Sequence, residues 1–328
     1  MNLYLLLPLI ALTALGLAQV PAVAQLGLSA LPLAIVLGIA AGHLLRRTPS
    51  AGEEAFSRFS QQKLLRLGII LFGFGLNFHQ LVAVGWQALV VDAIVVASVF
   101  LVGTWVGIRL LKLEPDLAML TSVGSAICGA AAIMAAESVI KPKQRDITVA
   151  VATVVLFGTL AMFSHPYLYH ALHLSQGQYG IYIGSTIHEV AQAVAAGQSV
   201  GGEALQNAVI VKLIRVMMLA PFIMLLSAYL SRRHSGEQTG TTRITIPWFV
   251  LGFILAAGVN TWVTMPGMLH QGLGIASQLT LAMAMAALGL HTRWQTLKAA
   301  GVKPLLLAAG LFVLLMVGGY GLNRLLIG

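Results

Sequence analysis

Hydrophobic runs of membrane-spanning length, separated by short polar or basic segments, cover most of this chain. A helix that crosses the hydrocarbon core of a bilayer needs roughly 20 mostly apolar residues. Nine runs approach or exceed that length, and we interpret each as a membrane-spanning helix. They lie at about 3–20, 30–45, 64–79, 87–111, 147–164, 207–230, 247–263, 273–290 and 304–326.

Two further apolar runs, 117–140 and 178–199, are interrupted by Gly and Ser near their middles. If both cross the bilayer fully, the basic segment with Lys141, Lys143 and Arg145 lies outside the cell. If each enters and leaves on one side, every strongly basic connection is cytoplasmic and every connection without Lys or Arg is external. The second arrangement fits the positive-inside rule better. We therefore expect nine full spans, two re-entrant hairpins and a cytoplasmic N-terminus, with full but broken crossings as the alternative.

The two interrupted runs resemble each other at an offset of 60 residues. Gly-Ser-Ala-Ile at 124–127 matches Gly-Ser-Thr-Ile at 184–187, and three alanines that follow each break are in register. In the expected topology the two hairpins open from opposite faces of the membrane. Inverted repeats with interrupted helices at their interface are the signature of secondary transporters. Chance similarity between small-residue membrane helices is the simpler explanation, but the shared Gly-Ser-x-Ile makes it less attractive.

The composition excludes a soluble fold. Hydrophobic residues make up 58% of the 328 residues and charged residues only 9%, against roughly 25% charged in an average soluble domain. The mean hydropathy is +0.89. We predict one all-α integral membrane domain over residues 1–328. The formal net charge of +9 is explained by cytoplasmic loops, so no nucleic-acid partner is expected. Residues 3–20 are interpreted as a membrane helix, because no basic residue precedes them as in a signal peptide.

The hairpin tips supply a candidate anion site. Glycines allow tight, open backbone at the breaks, and hydroxyl groups add hydrogen-bond donors. The helical halves after the breaks, expected to begin near Ala130 and His188, would aim free N–H groups at the gap, where an anion is favoured. Close helix packing by small residues is the alternative. The candidate residues at the tips are Gly124, Ser125, Gly129, Gly184, Ser185 and Thr186.

Two cations lie inside a predicted span. Lys212 and Arg215 are three residues apart and share one face of that helix. A charge near the centre of a bilayer costs at least about 2.5–3.5 kcal/mol, so such residues usually face partners or a cavity. We consider them ligands for an oxyanion, or alternatively members of a structural ion-pair network with Glu189.

The coupling group is expected among three further residues. His188 and Glu189 lie side by side at the second tip, and Asp92 is an isolated carboxylate in the fourth span. Histidine can carry a proton near neutral pH, although a hydrogen-bonded buried histidine is the plainer interpretation. The segment His-Glu-Val-Ala-Gln lacks the second histidine of a zinc protease motif. No phosphate-binding loop occurs, and we expect no metal and no cofactor.

Several long stretches resemble the YeiH-type bacterial membrane proteins, a family that carries a sulfate-exporter label. The resemblance covers nearly the whole chain. It implies a multi-pass protein of the inner membrane and kinship with the cation:proton antiporter and anion transporter superfamily, whose members use inverted repeats with interrupted helices. It implies no catalytic residues. The stretches are RLGIILFGFGL (66–76), GSAICGAAAIMAAE (124–137), ITVAVATVVLFGTLAMF (147–163), GIYIGSTIHEVAQAVAAG (180–197), VMMLAP (216–221), ITIPWF (244–249) and LAMAMAALGL (281–290).

The sequence therefore predicts a secondary transporter that exports a small oxyanion such as sulfate by alternating access. The alternative is a proton- or sodium-coupled organic acid carrier, or a cation/proton antiporter, on the same scaffold. An intramembrane enzyme that uses His188 and Glu189 is less favoured, because no nucleophile or metal set accompanies the pair. The oligomeric state is left open, a homodimer included.

Overall fold

The computed structural model describes residues 2–20, 23, 29–44, 49–233, 247–291 and 301–327, and these residues form helices without any strand. The helices are α1 (Leu3–Leu17), α2 (Ala30–Leu44), α3 (Ala51–Phe59), α4 (Leu65–Gly73), α5 (Phe78–Trp105), α6 (Pro115–Ala126), α7 (Ala130–Ile140), α8 (Gln144–Leu172), α9 (Gln176–Thr186), α10 (Val190–Val200), α11 (Gly202–Met217), α12 (Leu219–Arg233), α13 (Trp248–Trp262), α14 (Gly267–His291), α15 (Val302–Val313) and α16 (Gly319–Leu326). Short π-helical turns, Ser60–Leu64, Val106–Leu110 and Leu314–Gly318, continue α3, α5 and α15.

The all-α membrane architecture predicted from the sequence is confirmed. Within the described residues, five helical segments are long and apolar enough to cross a bilayer, and four more apolar helices are shorter. The expected count of nine spans therefore stays a prediction. The third predicted span differs in position, because the helical run begins at Ala51 with a Ser50–Glu53 capping box and ends at Gly73. The basic connections near 232–243 and 293–303 fall largely outside the described residues.

The outer surface is apolar, as expected for a chain surrounded by lipid. Large hydrophobic side chains are exposed along α1, α5, α12, α13 and α15. Two exposed tryptophans lie on the long α5, Trp86 about two turns after its start and Trp105 at its end. At 1.5 Å per residue these two positions are about 28 Å apart, close to the ~30 Å hydrocarbon thickness. Tryptophan favours the membrane–water interface, and the spacing of this pair matches the two sides of a bilayer.

The helices pack as two units. The small unit consists of α1 to α4 with α13 and α14, and the large unit of α5 to α12 with α15 and α16. In the small unit, Gly42 lets α2 and α14 approach closely, because an added Cβ there would lie 2.8 Å from the Leu290 carbonyl oxygen. Contact between the units is sparse and runs mainly through α10 against α2, where Ser29 Oγ and Ser199 Oγ are 2.9 Å apart.

The first interrupted pair, α6 and α7, is a hairpin. The helix α6 runs antiparallel to the end of α5, since added Cβ atoms at Gly107 and Gly103 would contact Ala118 and Ser122. After the break at 127–129 the chain turns back, and Ile133 of α7 packs on Gly124 of α6.

The second pair, α9 and α10, also folds back on itself. Gly180 and Gly197, on opposite arms, both pack on Ala204 of α11. Gly201, just after α10, lies against the side chain of Gln176 at the start of α9. Both ends of this pair therefore lie together, and the break at 187–189 forms its tip.

The long helix α8 sets the two hairpins head to head. It begins at Gln144, just after the first hairpin, and ends at Leu172, just before the second. Midway along it, Val154 packs on Gly124 of the first hairpin and Gly158 packs on Gln192 of the second. The hairpins thus approach from opposite ends of α8, and their tips meet near its middle.

Candidate functional site

Both breaks are short, and their residues are buried apart from the half-buried Glu189. At the first, Ile127 leaves the helical conformation and Gly129 adopts φ +70° before α7 begins at Ala130. At the second, Ile187 and Glu189 are extended and α10 begins at Val190. The second half-helix was expected to begin near His188, but it begins two residues later because Glu189 is its N-cap. Each break leaves backbone groups without helical partners, in a place where water is scarce.

Lys212 joins the two tips. Its ammonium nitrogen, completely buried, donates to the Ile127 carbonyl oxygen at 2.8 Å and to the Ile187 carbonyl oxygen at 2.5 Å. These carbonyls follow the last residues of α6 and α9 and carry the negative ends of those helices. A cation is stabilised there. One lysine on α11 therefore holds both breaks at once.

Arg215 lies one turn further along α11 and has the same kind of partners. Its Nε donates to the Ala126 carbonyl oxygen at 2.8 Å and its Nη1 to the Ile187 carbonyl oxygen at 3.4 Å. Asp92 of α5 lies beside it, with Oδ1 at 3.9 Å from Nε. Among the described residues, the acid in an ion pair with Arg215 is thus Asp92. The sequence suggested Glu189 for that role and treated Asp92 as isolated.

Glu189 contacts the opposite, positive helix ends. Its Oε1 accepts from the backbone N–H of Ala130, the first residue of α7, at 3.4 Å. It also forms the N-cap of α10 in a capping box with Gln192, whose Oε1 accepts from the Glu189 N–H at 3.2 Å. Gly129 makes room for this side chain, because a Cβ there would lie 2.5 Å from Glu189 Cγ. The two N-termini expected to receive an anion therefore already hold a carboxylate of the protein itself.

The remaining predicted residues at the tips are two glycines and three hydroxyl residues, and only one of the hydroxyl groups is unpaired within the described residues. Gly124 and Gly184 let the first arms of the hairpins pack closely on their neighbours. Ser185 and Thr186 donate back to the Tyr182 carbonyl oxygen, at 3.1 and 2.6 Å, and so point along their own helix. Ser125, by contrast, has a buried hydroxyl without a hydrogen-bond partner in the described part of the chain.

Several buried polar atoms at the tips have no hydrogen-bond partner among the described residues. They are both carboxylate oxygens of Asp92, both ring nitrogens of His188 and Nη2 of Arg215. An unpaired polar group in such a place costs about 1–3 kcal/mol, more if it is charged. Unpaired groups of this kind need an explanation, and here they are the atoms available to a substrate, an ion or a proton.

Some residues that support the tips were missed by sequence reasoning. The predicted span 147–164 ended just before His165, but α8 continues to Leu172. His165 lies inside α8, completely buried, with Nε2 at 3.2 Å from Thr186 Oγ1. Asn323 of α16 donates to Ser185 Oγ at 3.0 Å. Neither residue has a local pattern that marks it, since both act on segments distant in sequence.

A cavity of about 240 Å³ lies between the two units. Val194 and Gln198 of α10 line one wall, and His270, Ser277 and Gln278 of α14 line another. Val194 is just over one helical turn beyond the Glu189 break, so the cavity reaches close to the second tip. Its walls combine apolar and polar side chains.

Comparison with known proteins places this architecture in a family. A family model described as "Conserved hypothetical protein 698" matches residues 3–308. The chain belongs to that family. Relatives that carry the name YeiH confirm the resemblance to YeiH-type proteins noted above.

Relatives in the conserved hypothetical protein 698 family are membrane proteins by name. A UPF0324 membrane protein of Yersinia pestis is 52% identical over 274 residues, which covers 81% of this chain and 76% of the relative. One of Pseudomonas aeruginosa is 47% identical, covering 88% and 83%. The UPF0324 inner membrane protein YeiH of Escherichia coli strain K12 is 47% identical, covering 81% and 76%. No solved structure matches the chain. This family member is accordingly a multi-pass protein of the inner membrane.

Proposed function

We propose that this protein is a secondary transporter, and not an enzyme, which exports a small oxyanion such as sulfate by alternating access. The observation that carries the proposal is the meeting of two broken helical hairpins from opposite ends of α8, with Asp92, Glu189, Lys212 and Arg215 at their tips. Ionisable residues within a membrane are costly and mark ion or substrate pathways.

The proposed topology has nine spans and two re-entrant hairpins related as an inverted repeat. Support comes from the basic segment 141–145, which follows the first hairpin, and from the absence of Lys and Arg in the connection 173–175 before the second. The positive-inside rule then puts the first hairpin's open end in the cytoplasm and the second's outside. Backbone breaks within the membrane are tolerated only where protein or a cavity covers them, and both tips are buried apart from the half-buried Glu189.

Alternating access requires two bodies that move against each other around a fixed site. The sparse contact between the small and large units favours such a motion. The cavity between them lies on the same α10 that carries the second tip. We propose that this cavity is one access route to the tips.

An oxyanion is favoured by the donors at the tips. Arg215 has Nη2 free of hydrogen bonds within the described residues, and guanidinium groups bind oxyanions through planar pairs of N–H donors. The N-termini of α7 and α10, which hold the Glu189 carboxylate in this structure, are themselves anion-binding ends that meet at the tips.

Flux of labelled sulfate through proteoliposomes tests the proposal. We expect protein-dependent flux in the wild type, loss of flux in Arg215→Gln, and wild-type flux in Arg145→Gln, which removes an exposed arginine outside the site. Thermal unfolding of the same samples separates loss of binding from loss of fold. Equal flux with and without protein, for sulfate and other small oxyanions and under gradients of both directions, would refute the oxyanion carrier.

A second candidate is a proton- or sodium-coupled organic acid carrier or a cation/proton antiporter. The specific observation in its favour is Asp92, whose two carboxylate oxygens have no hydrogen-bond partner in the described structure. Asp92→Asn keeps the shape and removes the charge. Cation- or proton-driven flux that disappears in Asp92→Asn and is indifferent to the anion present would favour this candidate over the first.

A further inference from the structure

We propose that the Glu189 carboxylate is a built-in competitor for the transported anion, which must leave the two helix N-termini before an external anion can bind there. This inference rests on the proposed function and adds a mechanism to it. It is drawn from one juxtaposition: a single carboxylate at the first turn of both α7 and α10.

The position of Glu189 is that of a bound anion. Its Oε1 faces the Ala130 N–H across the gap between the hairpins, although the two residues are 59 positions apart in sequence. At its own helix it is the N-cap residue. Helix N-termini favour negative charge through their free N–H groups and dipoles. A carboxylate oxygen and an oxyanion oxygen offer the same acceptor to those groups.

The local backbone is built to admit this side chain. Gly129 has φ +70°, a conformation that suits glycine, and an added Cβ would lie 2.5 Å from Glu189 Cγ. Lys212 holds Ile127 and Ile187, the carbonyls beside each break, in place. Movement of Glu189 can therefore be a side-chain rotation that leaves the breaks intact.

Unpaired polar groups remain at the tips for an incoming anion once Glu189 has left. Arg215 Nη2 and the His188 ring nitrogens are buried and lack hydrogen-bond partners within the described residues. Arg215 is fixed at the second break by its bond to the Ile187 carbonyl oxygen, and His188 is the next residue of that break. Two negative charges in one enclosed site repel each other strongly. The carboxylate and the external anion therefore exclude each other.

Sulfate-dependent thermal stabilisation of the purified protein tests the competition, because a ligand that binds the folded state raises its apparent stability by mass action. The samples are the wild type, Glu189→Gln, Glu189→Asp and Glu137→Gln. We expect the half-stabilising sulfate concentration of Glu189→Gln to fall at least about fivefold below that of the wild type, the lower end of typical coupling between sites. Glu189→Asp keeps the charge and Glu137→Gln changes a glutamate away from the tip, so both should bind more weakly than Glu189→Gln.

The outcomes separate this inference from the proposed function. If the wild type binds sulfate and Glu189→Gln binds it no more tightly, the competitor role is overturned and the carrier survives. If no sample binds sulfate, phosphate or another small oxyanion, both fall. If Glu189→Gln does not fold, infrared spectra of the wild type and Glu189→Asp decide. The carboxylate band of residue 189 is the one whose frequency differs between these two proteins. Adding sulfate to the wild type must shift that band, and an unshifted band overturns the inference.

Discussion

Replacing Lys212 by methionine tests the central claim about the site, that one ammonium group holds both hairpin tips. The side chain is completely buried and donates to two carbonyl oxygens on different hairpins. Methionine has similar length and flexibility but no donor. The substitution therefore removes the two hydrogen bonds and the positive charge while it keeps most of the packing.

The expected magnitude follows from the groups left behind. A buried carbonyl without a donor costs about 1–3 kcal/mol, and this applies to the Ile127 carbonyl, because the Ile187 carbonyl keeps the longer bond from Arg215 Nη1 at 3.4 Å. Removing one member of a buried charge arrangement typically costs about 3–5 kcal/mol, because the remaining charges, here Asp92 and Glu189, lose a counterion. Relief of the desolvation cost of the ammonium acts in the opposite direction. We expect a net loss of about 3–5 kcal/mol in the free energy of unfolding.

Equilibrium unfolding in mixed micelles, with increasing SDS fraction, measures this loss. Lys143→Met is the matched control, because Lys143 is exposed at the start of α8 and should change stability by less than about 0.5 kcal/mol. Lys212→Arg keeps a charged donor and should lose less than Lys212→Met. If Lys212→Met unfolds like the wild type and the Lys143→Met control, the two carbonyls do not depend on the ammonium group, and our account of the tips is wrong.

Further predictions concern the supports of the site and the helix contacts. Gly129→Ala should lower stability by about 1–2 kcal/mol, because φ is +70° and the new Cβ meets Glu189; an unchanged midpoint in the same assay would contradict the close fit. Tyr182→Phe should cost about 0.5–1.5 kcal/mol by removing the 2.6 Å hydrogen bond to the Met316 carbonyl in the π-helical turn. Gly42→Ala should cost about 1–3 kcal/mol through contact with the α14 backbone. Gly310→Ala, where an added Cβ meets nothing within 4 Å, should be neutral or stabilising by up to about 1 kcal/mol. Equal losses of stability in Gly42→Ala and Gly310→Ala would refute the argument that Gly42 is needed for close helix packing.

The sequence located the breaks well, and the reason is physical. Gly and Ser in the middle of an apolar run are costly unless the backbone needs them. The repeated Gly-Ser-x-Ile marked both places, and α6 and α9 end at Ala126 and Thr186, within that motif. The start of α7 at Ala130 was also as expected.

The partners of the buried charges could not be read in the same way. Lys212 and Arg215 bind backbone carbonyls, which every residue carries and which therefore leave no mark in a sequence. The contact between Arg215 and Asp92 joins positions 123 residues apart in separate helices. Glu189 was identified as a residue of interest, but its position at the N-termini of two helices depends on how the hairpins meet.

One further consequence follows from Cys128, the only cysteine of the 328 residues. It lies at the first break, next to Gly129 and almost fully buried. Any maleimide or methanethiosulfonate reagent that modifies the unaltered protein must therefore have reached the hairpin tip. The rate of that reaction, followed from each side of a sealed vesicle, therefore measures how often the hairpin tip becomes accessible from that side. No engineered cysteine is needed, and no other cysteine of the chain contributes to the signal.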